Sequence, residues 1–287
     1  MKKKDRRPVD VVVISDVHLG TYGSRAKELV VYMKSIQPKH VILNGDIIDI
    51  WQFNKRFFPK AHVKVIKQVL NWVMDGVKVT YITGNHDEML RRFVGFKMGS
   101  FTIENKMLLE LGKEQAWIFH GDVFDVTMQH SKWLAKMGAV GYDALILINN
   151  FCNWVSENIM KRGRISLSKK IKNSVKGALK FIDDFEQTAA DIAIHNRYDY
   201  VVCGHIHHPQ KRTVSNGNGE VMYLNSGDWI ENLTALEFDK GEWTIFKYEE
   251  AFGKAKLQQD PEEDLELETE HLFKQMLEEF NMLKVSK

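Results

Sequence analysis

An α/β fold is the reading the chain supports, and three observations carry it. Apolar, β-branched runs at Val9–Ser15, Val41–Asn44 and Val77–Thr83 alternate with helical spacing at Arg25–Ser35 and Lys60–Met74, the pattern of βαβ units. After Gly219 come three strand-like runs, Val221–Asn225, Leu233–Phe238 and Trp243–Tyr248, parted by polar or glycine-containing turns; this predicts an antiparallel second half. Between His120 and Cys203 strand signal is nearly absent. Helical spacing instead covers Gln129–Met137, Tyr142–Met160 and Ser168–His195, where Ile171, Val175, Leu179, Ile182 and Phe185 recur every three or four residues. The expected organisation is therefore one domain over 1–250, a helical insertion at about 125–197 within it, and an acidic, part-helical tail over 251–287.

Composition bounds the function. At 287 residues, 44% hydrophobic with 16 Phe, 7 Trp and 8 Tyr, the chain can build a large packed core. A net charge of +2 argues against a strongly basic nucleic-acid binder, so no nucleic-acid partner is expected. Lysine and arginine nevertheless crowd residues 1–7 and 161–180, while acids crowd 260–270. The two cysteines, Cys152 and Cys203, suggest no disulfide framework, and Cys203 reads as a small core residue in an apolar run. The basic start resembles the opening of a signal peptide, but Val9–Ile14 is too short for its apolar region and reads better as the first strand. No stretch is long enough for a membrane-spanning helix. The expected location is cytoplasmic, with peripheral contact at the inner membrane through Lys2–Lys4, Arg6 and Arg7 left open.

Five short segments carry the chemistry, each just past a strand-like run: Ser15-Asp16-Val17-His18, Gly45-Asp46, Gly84-Asn85-His86-Asp87, His120-Gly121-Asp122 and Gly204-His205-Ile206-His207. Loops at the carboxyl ends of strands are where an open α/β sheet gathers its site. Asp16, His18, Asp46, Asn85, His120, His205 and His207 offer oxygen and imidazole donors for two adjacent cations, without a thiolate. Such a set suits manganese, iron or zinc, and a metal pair implies hydrolysis at phosphorus. Asp16 and His18, like His205 and His207, are two residues apart, so an extended backbone turns both side chains the same way. Asp46 can offer both carboxylate oxygens, which suits a bridge.

The order Asp-x-His, Gly-Asp, Gly-Asn-His-Asp, His-Gly-Asp, Gly-His-x-His resembles the calcineurin-like metallophosphoesterase superfamily from Val9 to about Leu236. The resemblance implies a β-sandwich of mixed sheets flanked by helices. It implies one cation at Asp16, His18, Asp46 and His207, and a second at Asp46, Asn85, His120 and His205. His86 is then the general acid for the leaving oxygen, Asp87 its orienting partner, and Asp122 a support for His120.

Within the superfamily the chain is similar to the UDP-2,3-diacylglucosamine pyrophosphatases of lipid A synthesis. Ser-Asp-Val-His-Leu-Gly, Gly-Asp-Ile-Ile-Asp-Ile-Trp and the helical insertion carry that similarity. It implies manganese, a nucleotide-linked lipid substrate, UMP as product and an insertion acting as a lid. Asn173 and Lys176 would share a helix face, with Arg162, Arg164, Ser168 and Lys172 near the phosphates and Ile148, Phe151 and Trp154 along an apolar slot. Equally, the insertion's helices could only brace the core. One position departs: the lipid A enzymes typically carry Arg where this chain has His86. A phosphodiesterase or phosphomonoesterase of other specificity is therefore the rival expectation. A non-catalytic interaction module is disfavoured because all seven ligand positions and His86 are filled.

Overall fold

The structure, a computed structural model, describes residues 6–50, 58–126 and 168–253, with side chains described except at 125–126 and 168–179. The expected helices at Gln129–Met137 and Tyr142–Met160, the slot residues Ile148, Phe151 and Trp154, and the tail after Gly253 lie outside the described residues.

Two mixed sheets stack in the centre. The first contains β1 (Arg7–Ile14), β2 (Ile36–Asn44), β3 (Lys78–Ile82), β4 (Lys97–Met98), β5 (Phe101–Glu104), β11 (Thr234–Asp239) and β12 (Glu242–Lys247), in the spatial order β12-β11-β1-β2-β3-β5-β4. The second contains β6 (Lys106–Leu111), β7 (Glu114–Phe119), β8 (Tyr200–Cys203), β9 (Gln210–Asn216) and β10 (Gly219–Asn225), in the order β6-β7-β8-β10-β9. Helices α1 (Ala26–Ser35) and α2 (Lys60–Met74) cover the first sheet, and α3 (Ser168–His195) covers the second. A single turn, α4 (Tyr248–Phe252), follows β12.

The side-chain period of two explains the layering. In β1, Val12 and Ile14 face α1 and α2, where they meet Leu29, Met33, Val65 and Trp72. Val11 and Val13 point the other way and meet Ile118, Val202 and Leu224 of the second sheet. Burial on both faces is why this run is apolar throughout rather than alternating. On the far side of the second sheet, Phe185, Ala189, Ala190 and Ala193 of α3 pack against Val201, Cys203 and Tyr223. The result is a four-layer α/β/β/α sandwich.

The antiparallel second half is realised in part: β9 with β10 and β11 with β12 pair antiparallel, but β10 runs parallel to β8. Strands β4, β5, β6 and β9 are additions to the sequence reading. The insertion was expected to overhang the site, yet from Phe185 onward α3 is the outer layer of the sandwich. Among the described residues, no helix is long and apolar enough to cross a membrane.

Two histidines are buried away from the ligand segments. His62 of α2 accepts the Gly20 backbone N–H through Nδ1 at 3.0 Å, pinning α2 to the loop after β1. Burial pushes its pKa down to about 4. His40 of β2, 2.9 Å from Thr80 Oγ1, is pushed down to about 4 by burial and then by Lys78. Unfolded histidine titrates near 6.5, so between about pH 6.5 and 4 the unfolded chain takes up protons that the fold refuses. Stability contributed by neutral His40 and His62 should thus be complete above pH 6.5 and be lost as pH falls toward 4. The full loss is on the order of 3 kcal/mol per histidine. Denaturant titrations across this window should show His62→Asn, which keeps an acceptor, with a shallower decline than the parent chain. Identical slopes would mean that His62 does not titrate there.

Candidate metal centre

All five segments lie at the carboxyl ends of β1, β2, β3, β7 and β8, and the two sheets bring those ends together. The loops after β1 and β2 are joined by backbone bonds: Asp16 N–H to Gly45 O at 3.1 Å, Val17 and His18 N–H to Asp46 O at 2.9 Å, and Leu19 N–H to Ile47 O at 2.9 Å. The second sheet is tied in by Gly204 N–H to His120 O at 2.9 Å and by His205 N–H to Asp16 Oδ2 at 3.1 Å.

Convergence of the side chains does not come from extended spacing, as the two-residue intervals suggested. Asp16, His18, Asp46, His205 and His207 all have left-handed backbone, with φ between 51° and 68°. That conformation turns the chain sharply at each ligand position and swings neighbouring side chains into one space. It is costly for non-glycine residues, and such outliers gather at functional sites. Glycines make room between the loops. A Cβ on Gly204 would stand 2.6 Å from the Asp16 carboxylate, and one on Gly84 would strike the Asp46 carboxylate and the His120 ring.

Three groups of potential ligand atoms result, each within 4.8 Å of one another: Asp16, His18 and His207; Asp46, His120 and His205; and, between them, His18, Asp46 and His86. Asn85 sits half-buried on the loop that carries His86. The carboxylates are held against histidines, His207 Nε2 lying 3.2 Å from Asp16 Oδ1 and His120 Nε2 lying 3.2 Å from Asp46 Oδ2.

Neighbouring groups aim the rings. The Asn44 carbonyl lies 2.8 Å from His120 Nδ1, which fixes the tautomer with Nε2 facing inward. The Asp228 carboxylate, which accepts backbone N–H groups from Ile230, Glu231 and Asn232, faces His207 Nδ1 at 3.8 Å. Asn232 bonds both Asp228 Oδ2 and the His207 carbonyl. His18 Nε2 is buried without a hydrogen-bond partner among the described residues. A buried nitrogen of that kind beside two carboxylates fits a cation, and the whole donor set of carboxylate, amide and imidazole fits divalent metals.

Electrostatics give the same picture. Burial opposes ionisation of Asp16, but the His207 charge and hydrogen bond outweigh it and lower its pKa. Asp46 is lowered in the same way, chiefly by His120. Burial opposes protonation of His207, yet Asp16, Asp228 and Asp46 together raise it to about 9, and Asp46 raises His120 well above the usual range.

Asp87, expected to orient His86, bonds elsewhere. Its carboxylate accepts the N–H groups of Gly84 at 2.6 Å and Ile47 at 3.0 Å and the Tyr81 hydroxyl at 2.5 Å. It therefore clamps the β3 loop to the β2 loop. The carboxylate at His86 belongs to Asp49, whose Oδ2 lies 2.9 Å from His86 Nδ1 and 3.3 Å from His18 Nδ1. Asp49 escaped the sequence reading, although the run Gly45-Asp46-Ile47-Ile48-Asp49 placed a second acid beside a ligand. Asp122 pairs with Arg91 across the rim. Ser168, Lys172, Asn173 and Lys176 are on the α3 backbone without described side chains, and Arg162 and Arg164 lie outside the described residues.

A four-layer sandwich with two adjoining histidine–carboxylate groups at convergent strand ends defines a metal-dependent phosphoesterase, an enzyme of the hydrolase class. The family model for calcineurin-like phosphoesterases matches residues 9–209, and the chain belongs to that family. It is similar to a UDP-2,3-diacylglucosamine hydrolase of Aliivibrio fischeri strain MJ11, 22% identical over 252 residues that cover 83% of this chain and 98% of the relative. An enzyme of the same name from Pseudomonas putida strain KT2440 is 20% identical over 250 residues, covering 83% and 99%. Among solved structures it resembles Yfce, a phosphoesterase from E. coli, at 14% identity and a TM-score of 0.41, covering 84% of this chain and 93% of that one.

Metal loading should release protons. The carboxylates around His207 and His120 favour the protonated rings in the metal-free protein, and each such proton must leave before its nitrogen can coordinate. For His207 the release should shrink as pH rises through about 9, where that ring is already neutral. Calorimetric titration with manganese in buffers of different ionisation enthalpy should report about one to two protons released per chain at pH 7. A buffer-independent heat would contradict this.

Proposed function

We propose that the chain hydrolyses the pyrophosphate bond of UDP-2,3-diacylglucosamine, or of a similar nucleotide-linked lipid, using two manganese ions. The observation that carries the two-metal reading is the middle ligand group, which places His86 beside His18 and Asp46 at the seam between the two outer groups. Divalent cations in such a site supply positive charge to phosphoryl oxygens and a strong nucleophile at neutral pH. One cation would be held by Asp16, His18 and His207 and the other by His120 and His205, a division that the outer groups support. Asp46 lies between them, and Asn85 completes the second.

The chain's own contribution to bond cleavage is a placed proton. His86 Nδ1 is held by Asp49, which leaves Nε2 to protonate the departing oxygen. Burial works against the charged ring, but the Asp49 carboxylate 2.9 Å away and the charge of Asp46 prevail and raise its pKa. Because Asp49 also touches His18, it keeps the acid in register with a metal ligand. The names of the relatives and the motifs around Asp16 and Asp46 support a UDP-2,3-diacylglucosamine substrate, and lipid A synthesis at the cytoplasmic face of the inner membrane is proposed with it. Asn173, Lys176, Arg162, Arg164, Ser168 and Lys172 remain the proposed substrate contacts on the insertion.

His86 favours a second reading. An imidazole suits acid catalysis on a phosphodiester or phosphomonoester of other shape, where the lipid A enzymes typically present a guanidinium. UMP release from UDP-2,3-diacylglucosamine with manganese, measured beside hydrolysis of an aryl phosphodiester, separates the two. Robust UMP release, abolished in Asp46→Ala, supports the first; turnover of the aryl ester alone supports the second.

Asp49→Asn should retain both cations and slow turnover by about 10- to 100-fold. His86→Ala should cost about 100- to 10,000-fold with poor leaving groups, again with metal content unchanged. Elemental analysis beside kinetics checks both, and loss of metal in His86→Ala would refute the acid assignment.

A further inference from the structure

We propose that the turn following the Gly84–Asp87 loop, together with Val123, is a surface that docks onto a lipid bilayer carrying anionic headgroups. Residues 91–99 are exposed without interruption. Five large apolar side chains project from this region, Met89, Phe93, Val94, Phe96 and Met98, each between 39% and 55% exposed. Val123, on the turn after His120-Gly121-Asp122, is 53% exposed. Six apolar side chains left in water on two adjoining turns are more than scattered surface hydrophobics, and a rim of this kind marks an interaction site.

Charge identifies the partner. Arg92 and Lys97 are interleaved with the apolar residues, Arg91 beside them is paired with Asp122, and Glu88 is the one acid in the run 88–98. Aromatic and aliphatic side chains set among cations, on a projecting turn, suit the boundary between headgroups and acyl chains. The geometry supports insertion. β4 is the outermost strand of its sheet, so the turn is carried on a free edge.

Position ties the surface to the metal centre. Arg91 pairs with Asp122 and lies 3.5 Å from the Gly84 carbonyl, so the two turns and the β3 loop are fastened together at the site's rim. Arg7, the last of the basic residues near the amino terminus, is placed differently. Arg7 is held by Glu237 through two contacts of 2.6 and 2.7 Å at the start of β1, about 25 Å of strand away from Asp16. The inference deepens the lipid-linked reading of the substrate, but its test uses no substrate.

Co-sedimentation of the full chain with vesicles of phosphatidylcholine, with and without phosphatidylglycerol, tests it. The full chain should bind the anionic vesicles and release at high salt. The double variant Phe93→Ser/Phe96→Ser should bind at least about tenfold more weakly, while keeping the parent's far-UV circular dichroism and thermal midpoint, which shows that it is folded. Absence of binding by the full chain would overturn the proposal. Binding that survives the double variant and is lost on removing residues 2–7 would assign the contact to the amino terminus instead. A double variant with unchanged vesicle binding and an altered oligomeric state would make the rim a protein–protein face.

Discussion

Asp16 and Asp46 are buried acids at the ends of adjacent parallel strands, and the site is arranged around that burden. A carboxylate removed from water must be compensated by charge and by hydrogen bonds. The compensation comes from the opposite sheet: His120 at the end of β7, and His205 and His207 at the end of β8, lean across the sandwich onto these acids. The same attraction that stabilises the ion-paired protein gathers the donors a cation pair requires. Divalent cations in place of the histidine protons would keep both carboxylates ionised.

The scaffold serves this arrangement at some distance. Ser15 and Ser226 lie 2.6 Å apart, and Trp229 N–H donates to the Asp16 carbonyl at 3.0 Å, so the Asn225–Trp229 segment braces the first ligand loop from behind. Asp87 does the equivalent between β2 and β3. Phe185 of α3 lies against Gly121, and its ring is 6.2 Å from that of His205. Thus α3, whose amino-terminal half carries the proposed substrate residues, is rooted beside a metal ligand. Displacement of that helix would be felt first at His205.

Much of this was legible in the sequence. The helices Lys60–Met74 and Ser168–His195 have the bounds that periodicity predicted, since long amphipathic faces leave strong patterns. Strand β9 did not, because it is a polar edge strand in which only Val214 is buried. The ligand segments stood out by residue type and by their place after apolar runs. Their backbone was not legible: left-handed conformation at five ligand positions is imposed by contacts between loops distant in the chain. Asp49 and Asp228 were missed for a related reason. An acid that aims a histidine looks like any other acid until the fold shows which ring it faces.

Five ligand residues in left-handed backbone mean that the site is held against local preference. Each costs on the order of 1 kcal/mol relative to an ordinary conformation, a cost that glycine escapes and asparagine lessens. Substitution of His18 can therefore relax the backbone while it abolishes the site, whereas at Asp16 and Asp46 the same relief strips His207 and His120 of their carboxylate partners.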